Sequence, residues 1–289
     1  MVAVGDVALE IVNDPLLLLF WALAMLAVGA FAGLIAGLLG VGGGIVVVPA
    51  LYHVLALMDV NEAIRMHIAV GSSLAIIIPT SLISARSHYR REAVDVPLLK
   101  KWVAPLLAGV VIGSVIAAYL NGNLLAAVFA VVALLVAIRM LRGEDSVKLT
   151  ERLPGEPLRS LLAGLIGMIS TMMGIGGGTL TVPLLSACNY QIRRAVGTAS
   201  AVGIVIAIPG AIGFLVSGLG AEGRPPLTFG YINLVAFCLI VPTTTLLAPY
   251  GARLAHTIKP RLLKIAFAIF LLITSLRLFY DLFTALQAA

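Results

Sequence analysis

GVGGGIVVVPAL (residues 40–51) and GIGGGTLTVPLL (residues 174–185) decide how this sequence is read. Seven of the twelve positions are identical, among them four glycines and the proline. A second match follows in the same order, AVGS (69–72) against AVGT (195–198), with a shorter polar stretch before it in the second half. Two blocks repeated in order divide the chain into two related halves.

Both blocks lie inside apolar sequence. The 289 residues are 61% hydrophobic and 11% charged, where a soluble domain carries roughly 25% charged residues. Mean hydropathy is +1.11. Ten apolar segments run roughly over 16–39, 45–58, 64–87, 97–120, 124–141, 158–173, 179–187, 195–219, 229–256 and 261–283. Most are long enough for a helix to cross the roughly 30 Å hydrocarbon layer; the second, sixth and seventh are short. The short alternating segments of a β-barrel are absent. The sequence therefore predicts an all-α polytopic membrane protein with two repeats of about five segments. Residues 1–141 form the first repeat, 142–157 a polar cytoplasmic linker and 158–289 the second. Asp6, Glu10 and Asp14 precede the first segment without a Lys or Arg. A cleaved signal peptide wants a basic start, so the first segment is expected to stay.

The formal charge of +6 does not point to nucleic acid, because the basic residues sit in short loops between apolar segments. There they orient helices, basic loops lying on the cytoplasmic side. Five basic residues fall within 86–101, Arg193 and Arg194 precede the eighth segment, and Arg253, Lys259, Arg261 and Lys264 lie around the last turn. With these inside, the first half starts outside and the second inside. That is an inverted repeat, an arrangement common in secondary transporters. Arg65 falls outside in this scheme, a mild discord.

Three adjacent glycines in an apolar run disfavour helix by about 1 kcal/mol each relative to alanine. Irregular backbone at membrane depth is tolerated only where it is buried in protein or lines a wet cavity. Each block is thus expected to be a broken or re-entrant helix, meeting its counterpart near the midplane. Amides of Gly42, Gly43, Gly44, Gly176, Gly177 and Gly178 would face a common space, and helix starts at Ile45 and Thr179 would add partial positive charge. Such a site binds an anion without a buried cation. Pro49 and Pro183 would kink the short helices or fix their first turns. Gly29, Gly33 and Gly37, and Gly109 with Gly113, follow the spacing of close helix packing instead.

The paired G-x-G-G-G-x-x-x-V-P blocks, the AVG[ST] blocks and the basic loop with Val94-Asp95 resemble the TauE/SafE family, the sulfite exporters or toluene sulfonate uptake permeases. The resemblance covers nearly the whole chain. It implies a multi-pass inner-membrane transporter of sulfite, organosulfonates or similar anions, with protons as the coupling ion.

Several side chains are candidates to complete an anion site. Ser72, Ser73, Thr198 and Ser200 offer neutral, rotatable hydroxyl donors in both repeats, as does Thr179; the competing reading is a hydroxyl bonded to its own helix. His67 titrates in a range suited to proton coupling or gating, against an ordinary interfacial histidine. Arg65 and Arg193 stand before the AVG blocks, as vestibule cations or as plain topology signals. Cys188 and Cys238 form no CxxC pair, and His53, His67, His88 and His256 are scattered without metal-ligand spacing. No phosphate-binding loop occurs. Neither an enzyme, a cofactor, a metal nor a nucleic-acid partner is indicated. The expectation is a secondary anion transporter; an anion channel, or a carrier of a small carboxylate, is the alternative. The substrate anion, protons and lipid are the partners expected, and a second copy of the chain stays open.

Overall fold

Proline, glycine and Asx-capped turns cut the apolar sequence into helices close to the ten segments. The computed structural model describes residues 15–39, 42–142, 153–254 and 260–288. Among them are ten helices: α1 (Pro15–Leu39), α2 (Gly44–Leu57), α3 (Glu62–Tyr89), α4 (Val96–Tyr119), α5 (Gly122–Arg142), α6 (Leu158–Met173), α7 (Gly178–Ala187), α8 (Ile192–Ser217), α9 (Leu234–Leu254) and α10 (Pro260–Ala288). Asn61, Asp95, Asn121 and Asn233 each accept a backbone N–H two or three residues ahead, which fixes the starts of α3, α4, α5 and α9.

Several boundaries differ from expectation. Helices α2 and α7 begin at Gly44 and Gly178, one residue before Ile45 and Thr179. The ninth apolar segment does not start as helix: Thr228–Phe229 (β1) pairs antiparallel with Ile232–Asn233 (β2) in a small hairpin. Gly230 at its turn has φ 54° and packs against the Leu215 carbonyl, so its backbone sits where no side chain fits.

The packing is reciprocal between the halves. Helix α1 packs on α9, while α6 packs on α4; α3 packs on α8, and α5 on α10. The spaced glycines make this possible. A Cβ at Gly33 would lie 2.6 Å from the Thr244 carbonyl oxygen, and one at Gly113 would lie 2.5 Å from that of Met168. Gly29 meets Ile240 and Gly109 meets Gly164 in the same way, and Gly37 is buried. These are the close backbone approaches that small residues allow in membranes.

The turns repeat as well. Asp59 after α2 and Asn189 after α7 both take a left-handed φ, 56° and 61°. Val60 N–H bonds to Leu55 and Tyr190 N–H to Leu185, each at 3.0 Å.

Among the described residues, six helices are long and apolar enough to cross a membrane: α1, α3, α4, α5, α8 and α9. Their outer faces carry large, exposed apolar side chains, such as Phe20, Val111, Ile112, Leu135, Ile212 and Leu246. A surface of this kind is matched to lipid rather than water. The protein is a multi-pass membrane protein, and its most buried spans, α3 and α8, run through the centre.

Candidate functional site

The two glycine breaks meet at the centre. Gly43 and Gly177 take left-handed φ values of 77° and 72° immediately before α2 and α7. Gly42 and Gly174 are left-handed too, at 76° and 66°. L-residues with side chains avoid this region, so the glycines are required by backbone shape. A Cβ on Gly42 would sit 3.5 Å from Gly176 Cα. One on Gly44 would overlap the Gly174 carbonyl. The first break therefore lies directly against the second.

Helices α2 and α7 start at this crossing and are 14 and 10 residues long. At 1.5 Å per residue they extend about 21 and about 15 Å, each shorter than the hydrocarbon layer. The first N–H groups of a helix have no partner within it. Among the described residues no backbone carbonyl takes up the amides of Gly176, Gly177, Gly178 and Thr179. Partial positive charge from both helix starts thus gathers in one buried place.

Hydroxyls surround it. Ser73 on α3 donates to the Gly174 carbonyl at 2.7 Å, tying the first half to the break of the second. Ser81, two turns further along α3, lies beside both Gly42 and Gly203 of α8. Ser170 stands 3.8 Å from the Cβ position of Gly177. Ser81, Ser170, Thr179 and Thr181 are all buried, and among the described residues their hydroxyls meet no hydrogen-bond partner. An unpartnered buried polar atom costs about 1–3 kcal/mol, so a cluster of them beside two open helix starts needs a reason.

The other residues singled out in the sequence take varied places. Ser72 Oγ accepts the Asn233 N–H at 2.8 Å, and Thr198 Oγ1 accepts the Asp95 N–H at 2.9 Å. These bonds are counterparts: each joins a central helix of one half to the first residue capping a helix of the other. Their O–H groups remain able to donate. Ser200 bonds back to Val196 and touches Ser84 Oγ at 3.2 Å. His67 is buried, with Nε2 3.0 Å from the Ala117 carbonyl, which can only accept, so this nitrogen carries the proton. Its ring stacks obliquely on Tyr231, 4.9 Å between centroids. Arg65 donates twice to the Val60 carbonyl, at 3.1 and 2.8 Å, and lies over the Tyr52 ring. It locks the α2–α3 turn. Arg193 is exposed, while its neighbour Arg194 stands 3.9 Å from Asp95. Burial first, then the Asp95 carboxylate, pushes the nearby Tyr190 phenol above its ordinary range.

Ser81, Ser84 and Ser170 escape a reading by motif, since they stand outside the repeated blocks. Helical spacing does reveal them: Ser73, Ile77, Ser81 and Ser84 form one stripe of α3, and Ser170 is one turn before Gly174.

Known proteins bear on this arrangement. A family model described as sulfite exporter TauE/SafE matches residues 25–278. A probable membrane transporter protein of Haemophilus influenzae is 34% identical over 258 residues, covering 89% of this chain and 97% of the relative. One from Methanocaldococcus jannaschii is 26% identical over 251 residues, 83% of this chain and 89% of the relative. Another, from Bacillus subtilis, is 21% identical over 276 residues, 89% and 97% of the two chains. No solved structure matches.

Proposed function

The chain belongs to the sulfite exporter TauE/SafE family of membrane transporters, and from that premise we propose that it moves a small sulfur-containing anion, sulfite or an organosulfonate, across the inner membrane. The anion is held where the two glycine breaks cross. One observation carries this reading: two left-handed glycine turns, two open helix starts and unpartnered hydroxyls converge on one buried point. Oxyanions are recognised by such a set of oriented N–H and O–H donors. Gly42 to Gly44 and Gly176 to Gly178 contribute backbone and Thr179 a free hydroxyl; Ser73 holds the second break in place through its bond to Gly174, and Ser72, Thr198 and Ser200 stand close by along α3 and α8.

The two halves form an inverted repeat and rock about the crossing to expose it alternately, as in other transporters built this way. The exchange of partners between α1–α9 and α6–α4 supports this, as do the matched Ser72–Asn233 and Thr198–Asp95 bonds. Transport is coupled to protons.

Uptake of sulfite, a small organosulfonate, sulfate and lactate into proteoliposomes, with and without a pH gradient, tests the reading. Saturable, gradient-dependent flux of a sulfur oxyanion, lost in Gly43→Val and Gly177→Val, is expected. Flux that persists in both variants refutes the site. Flux that neither saturates nor responds to the gradient turns the protein into an anion channel, and preference for lactate turns it into a carboxylate carrier.

A further inference from the structure

Among the described residues, the crossing holds donors but no full positive charge. The side chains nearest the break glycines, besides the serines, are Ala32, Val48, Ile77, Val202 and Ile206. Among the described residues, the cations of the helices are engaged or outward-facing. Arg65 is bound to the Val60 carbonyl, Arg139 to that of Pro183 and Arg159 to Glu156. Arg86 and Arg193 are exposed. His67 lies six residues before Ser73, about 9 Å along the helix axis, with its ring turned to Ala117 and Tyr231.

The charge at the crossing can be counted. Each helix start presents roughly half a positive unit, so the starts of α2 and α7 together present about one. That compensates one negative charge. A dianion would leave a full uncompensated charge among aliphatic side chains, and its desolvation is about four times that of a monoanion of the same size because charging energy rises with the square of charge. Resting on the anion-transport reading above, we infer that the crossing is selective for monoanions: it takes a singly charged sulfur oxyanion, donated to by the Ser81 and Ser170 hydroxyls, and rejects doubly charged ones. Ser81 and Ser170 are 1% and 0% exposed, and neither hydroxyl has a hydrogen-bond partner among the described residues. Both stand beside break glycines. Sulfite then travels as its protonated form, so the proton moves with the substrate rather than on a side chain.

The test compares three probes. Methanesulfonate carries one charge at any working pH, sulfate carries two, and sulfite changes from one to two near neutrality. Uptake of labelled methanesulfonate into proteoliposomes at equal pH on both sides is expected to vary less than about twofold between about pH 6 and about pH 8.5. Sulfite should compete strongly at the lower pH and weaken on the order of tenfold per unit above its second ionisation. Sulfate should compete at neither. Ser81→Ala and Ser170→Ala, which remove an unpartnered hydroxyl and no internal hydrogen bond, should unfold at or above the wild-type temperature yet bind methanesulfonate on the order of tenfold more weakly, measured by ligand-induced thermal shift in detergent. Sulfate, or sulfite at high pH, competing as well as the monoanion overturns monoanion selectivity while leaving transport intact. Unchanged affinity in the serine variants overturns their role. No thermal shift and no flux with any probe overturns the transport reading itself, and this inference with it.

Discussion

Replacing Gly44 with alanine separates the crossing from every other role of glycine. Gly44 is the first residue of α2, and its φ is not left-handed, so its backbone accepts a side chain without strain. By propensity alone alanine in a helix is favoured, by up to about 1 kcal/mol. The structure demands the opposite sign. The new methyl would overlap the Gly174 carbonyl, and would lie 2.6 Å from Ile77 Cδ1 and 2.9 Å from Ser73 Oγ. Ile77 can turn away; the carbonyl belongs to the other half and is held by Ser73 at 2.7 Å. Overpacking of this kind costs about 1–3 kcal/mol, and losing the Ser73 bond adds about 1 kcal/mol. The sum, about 2–4 kcal/mol, corresponds to a drop in unfolding temperature on the order of 5–10 °C for a protein of this size. Thermal unfolding in detergent reads it directly. Gly220→Ala is the control, since a Cβ there meets nothing within 4 Å, and it should leave the midpoint within about 1 °C. A Gly44→Ala protein as stable as wild type, or more so, refutes the contact between the two breaks.

Other expectations follow from single contacts. Ser72→Ala and Thr198→Val each strand a backbone N–H and should destabilise by about 1–3 kcal/mol, with Ser72→Ala the larger because its bond is fully buried and that of Thr198 partly exposed; the reverse order in denaturant titrations would deny their equivalence. Gly33→Leu and Gly113→Leu must push α1 off α9 and α4 off α6, costing more than about 3 kcal/mol; near-normal expression and stability of either would contradict the packing. His67→Gln keeps a donor for Ala117 and should leave the pH dependence of flux unchanged, whereas a displaced pH profile would return proton coupling to histidine.

Much of this architecture is legible in the sequence because membrane helices are read from length and composition, and the ends of α6 fall where the apolar run does. The glycine blocks were equally readable, since adjacent glycines are costly in a helix and have few uses there. What stayed hidden depends on which helices are neighbours. Nothing local says that Ser73 reaches Gly174, 101 residues away, or that Ser72 reaches Asn233, 161 away. The sequence places the start of the ninth apolar segment at 229 because Ile232 and Leu234 continue an apolar run, while the hairpin turn at Gly230 is dictated by its fit against Leu215. Ser81 and Ser170 lacked a motif, and only their burial without partners makes them stand out.

The repeat is also informative where it fails. Ser72 and Thr198 occupy matching positions and make matching bonds, but the next residues are Ser73 and Ala199. At this position only the first half carries a hydroxyl that can reach the break of the other. Gly174 is tied to α3, and Ala199 offers no such tie in return. The second half supplies hydroxyls of another kind instead: Ser170 before its break and Thr179 after it, both unpartnered. Ile45 stands where Thr179 does in the other block. Unpartnered donors thus accumulate on the α6–α7 side, where the backbone is also pinned. The proposed site at the crossing thus draws its pinned backbone and most of its unpartnered hydroxyls from the second half, a division that two identical halves would not produce.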